Sequence, residues 1–213
     1  MGSRLTESQK RLLTMVLERG AADASRALAQ WLGRDVRLDV SDVDEVELED
    51  VTGQLGPAEA LVASCSMELT GKLTGRLLMV FEDQVGMSLT DMLLQRPLGT
   101  STEWGELERS AAAETANIVG CAYLNSLASH LSLGDSARWE GALVPSPPSF
   151  RHEFAASLLE FALMDQAMEA DRLLLIKSRF TSEGGDLRWL LLFVPSGEAL
   201  RTLSTSLTLP ETH

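Results

Sequence analysis

Residues 110–117 read Ser-Ala-Ala-Ala-Glu-Thr-Ala-Asn, within a segment of about 103–133 whose apolar residues have helical spacing. Positions four and seven residues apart lie on one face of a helix, so a polar stripe is predicted to carry Ser110, Glu114, Asn117 and Cys121. The opposite side is predicted to be apolar, with Ala113, Ala116, Val119, Tyr123, Leu124, Leu127 and Leu131. We therefore expect a helix docked on a core, with a carboxylate and a carboxamide directed outwards.

The composition excludes several classes of partner. The chain has 213 residues and a formal net charge of −13, which disfavours nucleic-acid backbones and anionic membrane surfaces. No apolar run approaches the roughly 20 residues that span a bilayer, and the N-terminal residues form no hydrophobic signal core. We expect a cytoplasmic protein without membrane insertion. The two cysteines and three histidines lack metal-ligand spacing, so no metal of its own is expected.

The first half of the chain predicts a long helix, strands and a short helix. The long helix spans about 7–32 and includes Gly20, which indicates close packing against a neighbour. Alternating polar and apolar residues predict strands at 35–40 and 45–51. A hairpin is expected from 60–69 and 73–81, joined by a turn that contains glycine. Ser88 is expected to cap a helix over 89–95, which ends before Pro97.

The second half repeats this order after Gly99. The helix over about 103–133 is followed by a candidate strand near 138–144 and by a break at Pro145-Ser-Pro-Pro148. Residues 153–170 are apolar and fit either a helix or a strand. A second hairpin is expected from 172–180 and 187–194, and Ser196 is expected to cap a final helix over 197–207.

The repeated order predicts an internal duplication with a period of roughly 100 residues. Two copies would pool their half-buried strands into one mainly antiparallel sheet with the two long helices on one face, an α+β (α/β sandwich) fold. Because hairpins dominate and no glycine-rich phosphate loop is present, a doubly wound nucleotide-binding sheet is disfavoured.

The motif helix resembles a known family. A helix with Asp or Ser, then Glu, then Asn at this spacing, continued here by Ile118-Val119-Gly120, is similar to the CheC/CheX/FliY family of chemotaxis response-regulator phosphatases. The segments that precede the two short helices, 75–81 and 187–195, look like that family's duplicated units. The resemblance covers about 7–208. It implies one CheC-like domain, residues 1–213, built from two pseudo-symmetric repeats at about 7–98 and about 101–208.

The first repeat departs from the family pattern. Both halves of CheC-like members can carry a site, and the corresponding positions of the first helix are Thr14, Glu18 and Ala21. Alanine in place of asparagine cannot orient water, so the resemblance implies a degenerate first site and an intact second one. The proline that follows the motif in the family lies farther downstream here, at Pro145 or Pro147-Pro148, which indicates a small insertion.

The resemblance implies hydrolysis of the aspartyl-phosphate of a CheY-type response regulator. Asn117 would orient the attacking water, Glu114 would pair with a lysine of the regulator, and Ser110 would support the contact. Phosphoryl transfer depends mostly on positioning and electrostatic stabilisation, so the phosphatase needs no cofactor and Mg²⁺ is expected on the regulator.

Two alternatives remain open at this point. The polar stripe at this spacing is also typical of the solvated face of an ordinary helix. The same surface could instead belong to a catalytically silent adaptor that binds a response regulator, a flagellar-switch component or a CheD-like deamidase. Cys121 is expected to be a packing residue rather than a nucleophile, because no basic neighbour activates it.

Overall fold

The computed structural model describes residues 4–47, 50–71, 73–130, 143–158, 172–183 and 185–207. The helices described over their whole length are α1 (Glu7–Leu32), α2 (Asp83–Leu93), α3 (Glu106–His130) and α4 (Gly197–Ser206). Residues 155–158 of the segment that fitted either a helix or a strand are also helical. The strands are β1 (Val36–Glu47), β2 (Leu61–Gly71), β3 (Gly75–Glu82), β4 (Leu143–Pro145), β5 (Ser149–Phe154), β6 (Arg172–Ser182) and β7 (Gly185–Pro195). None of the helices in these ranges is long and apolar enough to cross a membrane.

All strand pairs are antiparallel and belong to one seven-stranded sheet. The order is β1-β6-β7-β3-β2-β4, and β5 also pairs with β2. The hairpins β2-β3 and β6-β7 meet at the centre, where Met79 lies opposite Leu191. Each hairpin receives its outer strand from the other half of the chain, because β1 pairs with β6 while β4 and β5 pair with β2. The α+β fold with pooled antiparallel strands is therefore confirmed.

The corresponding strands of the two halves have matching burial. In both β2 and β6, which are 11 residues long, positions 2–5, 7 and 9 are buried. Within these two strands the longest buried runs are Val62–Cys65 and Leu173–Ile176. Continuous burial of this kind requires cover on both faces of the sheet. The pseudo-symmetry predicted for the fold is thus visible in the packing of β2 and β6.

Helices α1 and α3 lie side by side on one face of the sheet, over the larger of two apolar clusters. They run antiparallel, because the Ser126 hydroxyl donates to the Val16 carbonyl at 2.6 Å while Gly20 lies against Tyr123 farther along. A Cβ at Gly20 would come within 2.9 Å of the Tyr123 Cα. Close packing at Gly20 is therefore confirmed, and the missing side chain sets the distance between the helices.

The other face of the sheet carries a smaller apolar cluster. Val62, Val80 and Leu192 contribute to it from the strands, and Val51 and Leu55 cover it from the segment that precedes β2. A 3-10 turn at Thr52–Gln54 belongs to the same segment.

Several sequence predictions are corrected by the structure. The strands expected at 35–40 and 45–51 form one strand, β1, with an irregularity between Val40 and Asp42. The alternation of polar and apolar residues shifts there, because a bulge adds one residue to β1 without ending its pairing with β6. Helix α2 begins at Asp83, so Ser88 lies within the helix and its hydroxyl donates to the Gln84 carbonyl instead of capping. Strand β5 was not predicted, since the prolines before it suggested a loop.

The remaining predictions agree within the described ranges. Both hairpins form, and the Ser196 hydroxyl caps α4 by accepting from the Ala199 amide at 3.2 Å. Helix α3 is described to His130. The expected helix end at 131–133 with Leu131, most of the candidate strand at 138–144, and residues 159–170 of the ambiguous segment lie outside the described residues.

Candidate functional site

The three motif residues lie on the accessible side of α3. Ser110 and Glu114 are exposed, Asn117 is half-buried, and the apolar face opposite is buried at Ala116, Val119, Tyr123, Leu124 and Leu127. Ala113 is only partly buried. The polar stripe is thus brought together as the spacing predicted. Within the described part of the chain, neither Ser110 nor Glu114 has a side-chain hydrogen bond or ion pair, so both are available to a partner.

The side chain of Asn117 is less free than those of Ser110 and Glu114. Its Oδ1 accepts from the Cys121 Sγ one turn later, at 3.6 Å. Partial burial of Cys121, together with the nearby negative charge of Glu114, raises the pKa of the thiol. A thiol that stays protonated is a donor and a poor nucleophile. The structure therefore supports a packing and orienting role for Cys121.

The start of α3 is fixed by polar contacts to the preceding loop and to α2. The buried Asp91 carboxylate accepts from the amides of Thr100 and Ser101 at 2.9 and 2.8 Å. The Trp104 indole donates to Asp83 at 2.8 Å, and Arg109 donates to the Trp104 carbonyl at 2.7 Å. Because these bonds tie the first turns of α3 to α2, the motif is presented on a rigid helix.

A second set of contacts anchors the strand beside this helix. The His152 ring of β5 lies 2.9 Å from the same Asp83 oxygen. The Trp104 ring packs on Phe150 with ring centres 4.8 Å apart, and the Arg109 guanidinium lies 5.9 Å from the Phe150 ring centre. Trp104 is 5% exposed. The sequence pattern did not predict β5, and therefore it did not predict this cluster.

The first helix presents a different surface at the corresponding positions. Glu18 is exposed, whereas Ala21 is 1% exposed and the Thr14 hydroxyl donates to the Lys10 carbonyl at 2.9 Å. Of these three residues only Glu18 is fully exposed, and Thr14, although half-buried like Asn117, uses its hydroxyl within the helix. That Thr14, Glu18 and Ala21 form a degenerate site remains a prediction.

One exposed apolar residue on the motif face was not singled out from the sequence. Leu107 precedes Ser110 by three positions and is 58% exposed. Its spacing from Ser110 could have indicated this position, since residues three apart share a helix face.

In the described part of the chain, no group of three or more His, Cys, Asp or Glu residues is arranged to hold a metal.

The chain is similar to known proteins in sequence and in structure. It is 24% identical over 174 residues to the CheY-P phosphatase CheC of Bacillus subtilis, covering 81% of this chain and 79% of that protein. It superposes on FliY of Thermotoga maritima with a TM-score of 0.74 and 17% identity, over 96% of this chain and 98% of FliY. This chain has the fold of the CheC/CheX/FliY family. No protein-family model matches it.

The structural similarity extends to FliM. The middle domain of FliM from H. pylori superposes with a TM-score of 0.67 at 10% identity, covering 95% of this chain and 99% of that domain. Identities this low establish a shared fold rather than a shared activity.

Proposed function

We propose that this chain is a CheC-like chemotaxis phosphatase that hydrolyses the aspartyl-phosphate of a CheY-type response regulator. The observation that carries the proposal is that Glu114 and Asn117 lie together on the accessible face of α3. The similarity to a protein named CheY-P phosphatase CheC supports it.

Asn117 has the chemistry that a water-positioning residue needs. A carboxamide both donates and accepts hydrogen bonds, and it adds no negative charge beside a phosphoryl group. In the proposed reaction, Asn117 enters the active site of the regulator and holds a water in line with the phosphorus–oxygen bond to the aspartate. The water attacks phosphorus, the aspartate leaves as a carboxylate, and inorganic phosphate is released. Orientation of this kind supplies a large part of the rate enhancement in phosphoryl transfer.

Glu114 has the chemistry of a docking residue. It is exposed and has no ion-pair partner among the described residues, and a carboxylate forms its strongest contacts with cationic donors. We propose that Glu114 forms an ion pair with a lysine of the regulator, and that Ser110, one turn earlier on α3, supports this contact. The Mg²⁺ ion belongs to the regulator in this proposal, and the reaction takes place in the cytoplasm, where such regulators act.

A phosphate-release assay tests the proposed activity. A CheY-type regulator is phosphorylated with a small phosphodonor in the presence of Mg²⁺, and its loss of phosphate is followed with and without this protein. We expect catalytic amounts of the protein to shorten the half-life of the phosphorylated regulator. An unchanged half-life with every regulator from the same organism would contradict the proposal.

The alternative is a catalytically silent adaptor with the same docking surface. The similarity to FliM supports it, because FliM of H. pylori has been crystallised as a FliG–FliM complex. An adaptor would bind an activated regulator, a flagellar-switch component or a CheD-like deamidase without changing the lifetime of the phosphate. Affinity for the phosphorylated regulator combined with an unchanged half-life would favour this alternative.

A further inference from the structure

A cleft opens on the sheet face that α1 and α3 leave uncovered. Its volume is about 290 Å³, close to the lower end of small-molecule pockets, which begin at about 300 Å³. Strands from both halves of the chain and the segment around Leu55 contribute to its walls. The proposed phosphatase motif does not contribute to it, since Ser110, Glu114 and Asn117 are not among the residues that line this cleft.

Three cationic residues line this cleft in a strongly acidic protein. They are Lys177, Arg179 and Arg188, and we refer to the cavity as the arginine cleft. Arg179 and Arg188 lie directly opposite each other in the β6-β7 ladder. Like charges in opposed positions destabilise a sheet. Two adjacent arginines therefore require a compensating anion more than most surface positions do.

The described part of the chain supplies little of that compensation. Lys177 lies 3.4 Å from Asp42, but neither Arg179 nor Arg188 has an ion pair or a side-chain hydrogen bond among the described residues. Both arginines are exposed. Glu82 also lines the cleft. Arg179 also lies opposite Asp39 in the β1-β6 ladder, but the Asp39 carboxylate lies 2.8 Å from the Arg37 guanidinium. With Glu82 as the one carboxylate among the described residues that line the cleft, the two arginines leave room for a single negative charge and disfavour a polyanion.

Four apolar residues of the cleft belong to, or pack against, the smaller apolar cluster of the core. Leu55, Val62 and Val80 are 5%, 2% and 3% exposed, and Leu190 is partly buried beside them. Covering apolar surface with a ligand is favourable, because the surface is removed from water. A mostly apolar cavity with a few convergent polar groups is typical of sites for small organic ligands.

The irregularity in β1 also falls at this cleft. Ser41 is the residue left unpaired between Val40 and Asp42, and it lines the cavity. Bulges occur preferentially beside functional sites, because they redirect side chains and interrupt strand pairing.

We propose that the arginine cleft binds a small organic acid with one anionic group. The acidic group lies between Arg179 and Arg188, and the apolar body of the ligand covers Leu55, Val62, Val80 and Leu190. Arginine suits the role because its planar guanidinium binds carboxylate, sulfonate or phosphate oxygens in pairs. This site is independent of the proposed phosphatase reaction.

A pair of fluorescent probes tests the proposal. The anionic probe is 1-anilinonaphthalene-8-sulfonate, and N-phenyl-1-naphthylamine carries the same apolar body without the sulfonate. We expect saturable binding of the sulfonate with one molecule per chain, and affinity about tenfold weaker for the neutral probe, since one charge-assisted contact changes affinity by roughly that factor. Non-saturable binding of the sulfonate, or equal affinity for the two probes, would overturn the proposal.

Substitutions locate the binding. The double variant Arg179→Gln/Arg188→Gln should weaken sulfonate binding about tenfold and leave the neutral probe unaffected, because only the anionic group contacts the arginines. The matched control is Arg201→Gln, which removes a charge from an exposed position of α4 and should change neither affinity. Equal sulfonate affinity in the double variant and the wild type would overturn the assignment, as would an equal loss in the control.

Discussion

Partial burial, as well as its carboxamide group, suits Asn117 to the proposed role of positioning a water. A fully exposed carboxamide would have to be ordered when a partner docks, whereas Asn117 is half-buried on a rigid helix and already contacts Cys121. Pre-ordering of a side chain reduces the entropy lost when it begins to hold a water. The residue combines access for a partner with a restricted orientation.

Replacing Glu114 by alanine should weaken docking. The exposed carboxylate is proposed to pair with a lysine, so we expect the dissociation constant for the activated regulator to rise about tenfold. Isothermal titration calorimetry with a beryllofluoride-activated regulator measures this directly. Glu18→Ala is the matched control, because Glu18 is an exposed glutamate on the other long helix, and it should leave binding unchanged. Unaltered affinity in Glu114→Ala would contradict the docking role.

Asp91 connects the stability of the loop before α3 to pH. Burial alone would raise the pKa of Asp91, but hydrogen bonds from Ser101, Thr100 and Gly99 together lower it. A carboxylate with a lowered folded-state pKa stabilises the fold above its unfolded-state pKa of about 3.9, and this contribution is lost as the pH falls through the folded-state value.

We therefore expect Asp91→Asn to reduce the free energy of unfolding at pH 7 by about 1–3 kcal/mol, because buried amides lose a charged acceptor. The difference from the wild type should narrow at about pH 3, because below the unfolded-state pKa of about 3.9 protonation of the unfolded carboxylate removes part of the wild-type stabilisation. Urea denaturation at both pH values measures this difference in the free energy of unfolding. Asp35→Asn serves as the control, because Asp35 is exposed. A difference of equal size at pH 3 and pH 7 would be inconsistent with this role.

At the scale of elements, the pair of long helices determines where the motif lies. Helix α3 packs on α1 through Gly20 and on the sheet through Gly120, where an added Cβ would come within 2.2 Å of the Met67 side chain. These two close approaches restrict the rotation of α3 about its axis. The rotation in turn decides that Glu114 faces solvent while Thr115 is buried.

Gly20→Ala should destabilise the fold although alanine is the better helix former. Overpacking in a core costs about 1–3 kcal/mol, and the helix preference of alanine returns at most about 1 kcal/mol. The backbone of Tyr123 cannot rotate out of the way, so we expect a net loss of about 1–2 kcal/mol and a lower Tm by calorimetry. Gly53→Ala adds a Cβ in open space and serves as control. A Tm equal to or above that of the wild type would show that the helices can separate.

The elements that could be predicted from sequence are those with a strong local pattern. The limits of α1 follow from its apolar spacing and from Thr6, which forms a capping box with Gln9. Strand β5 could not be predicted, because only pairing with β2 across the sheet overrides the nearby prolines. The joining of two predicted strands into β1 also depends on a distant partner, β6, which tolerates the irregularity at Ser41.

At the scale of the whole molecule, the two halves share a fold but differ in surface chemistry. The corresponding strands β2 and β6 have the same burial pattern, whereas Asn117 is accessible on α3 and Ala21 is buried on α1. Conserving the core requires only apolar volume at the same positions, so the surface of one helix can change independently. The division into repeats at about 7–98 and 101–208, with one intact site, remains a prediction.

The part of the candidate site that depends only on helical geometry could be predicted from the sequence. The common face of Ser110, Glu114 and Asn117 follows from spacing alone. The contact of Asn117 with Cys121, the exposure of Leu107 and the anchoring of α3 by Asp91 depend on packing that the sequence pattern does not encode. The arginine cleft was also missed, because its residues converge only when β1, β2, β3, β6 and β7 are aligned.

The most direct test of the proposed phosphatase compares two asparagines of α3. Asn125 is an exposed asparagine two turns beyond Asn117, so Asn125→Ala makes the same chemical change outside the motif. The rate of phosphate loss from a phosphorylated CheY-type regulator is measured with each variant. We predict that Asn125→Ala matches the wild type, while Asn117→Ala loses about 100-fold or more of the acceleration, because the water is no longer oriented. Equal rates with Asn117→Ala and the wild type would contradict the proposed function.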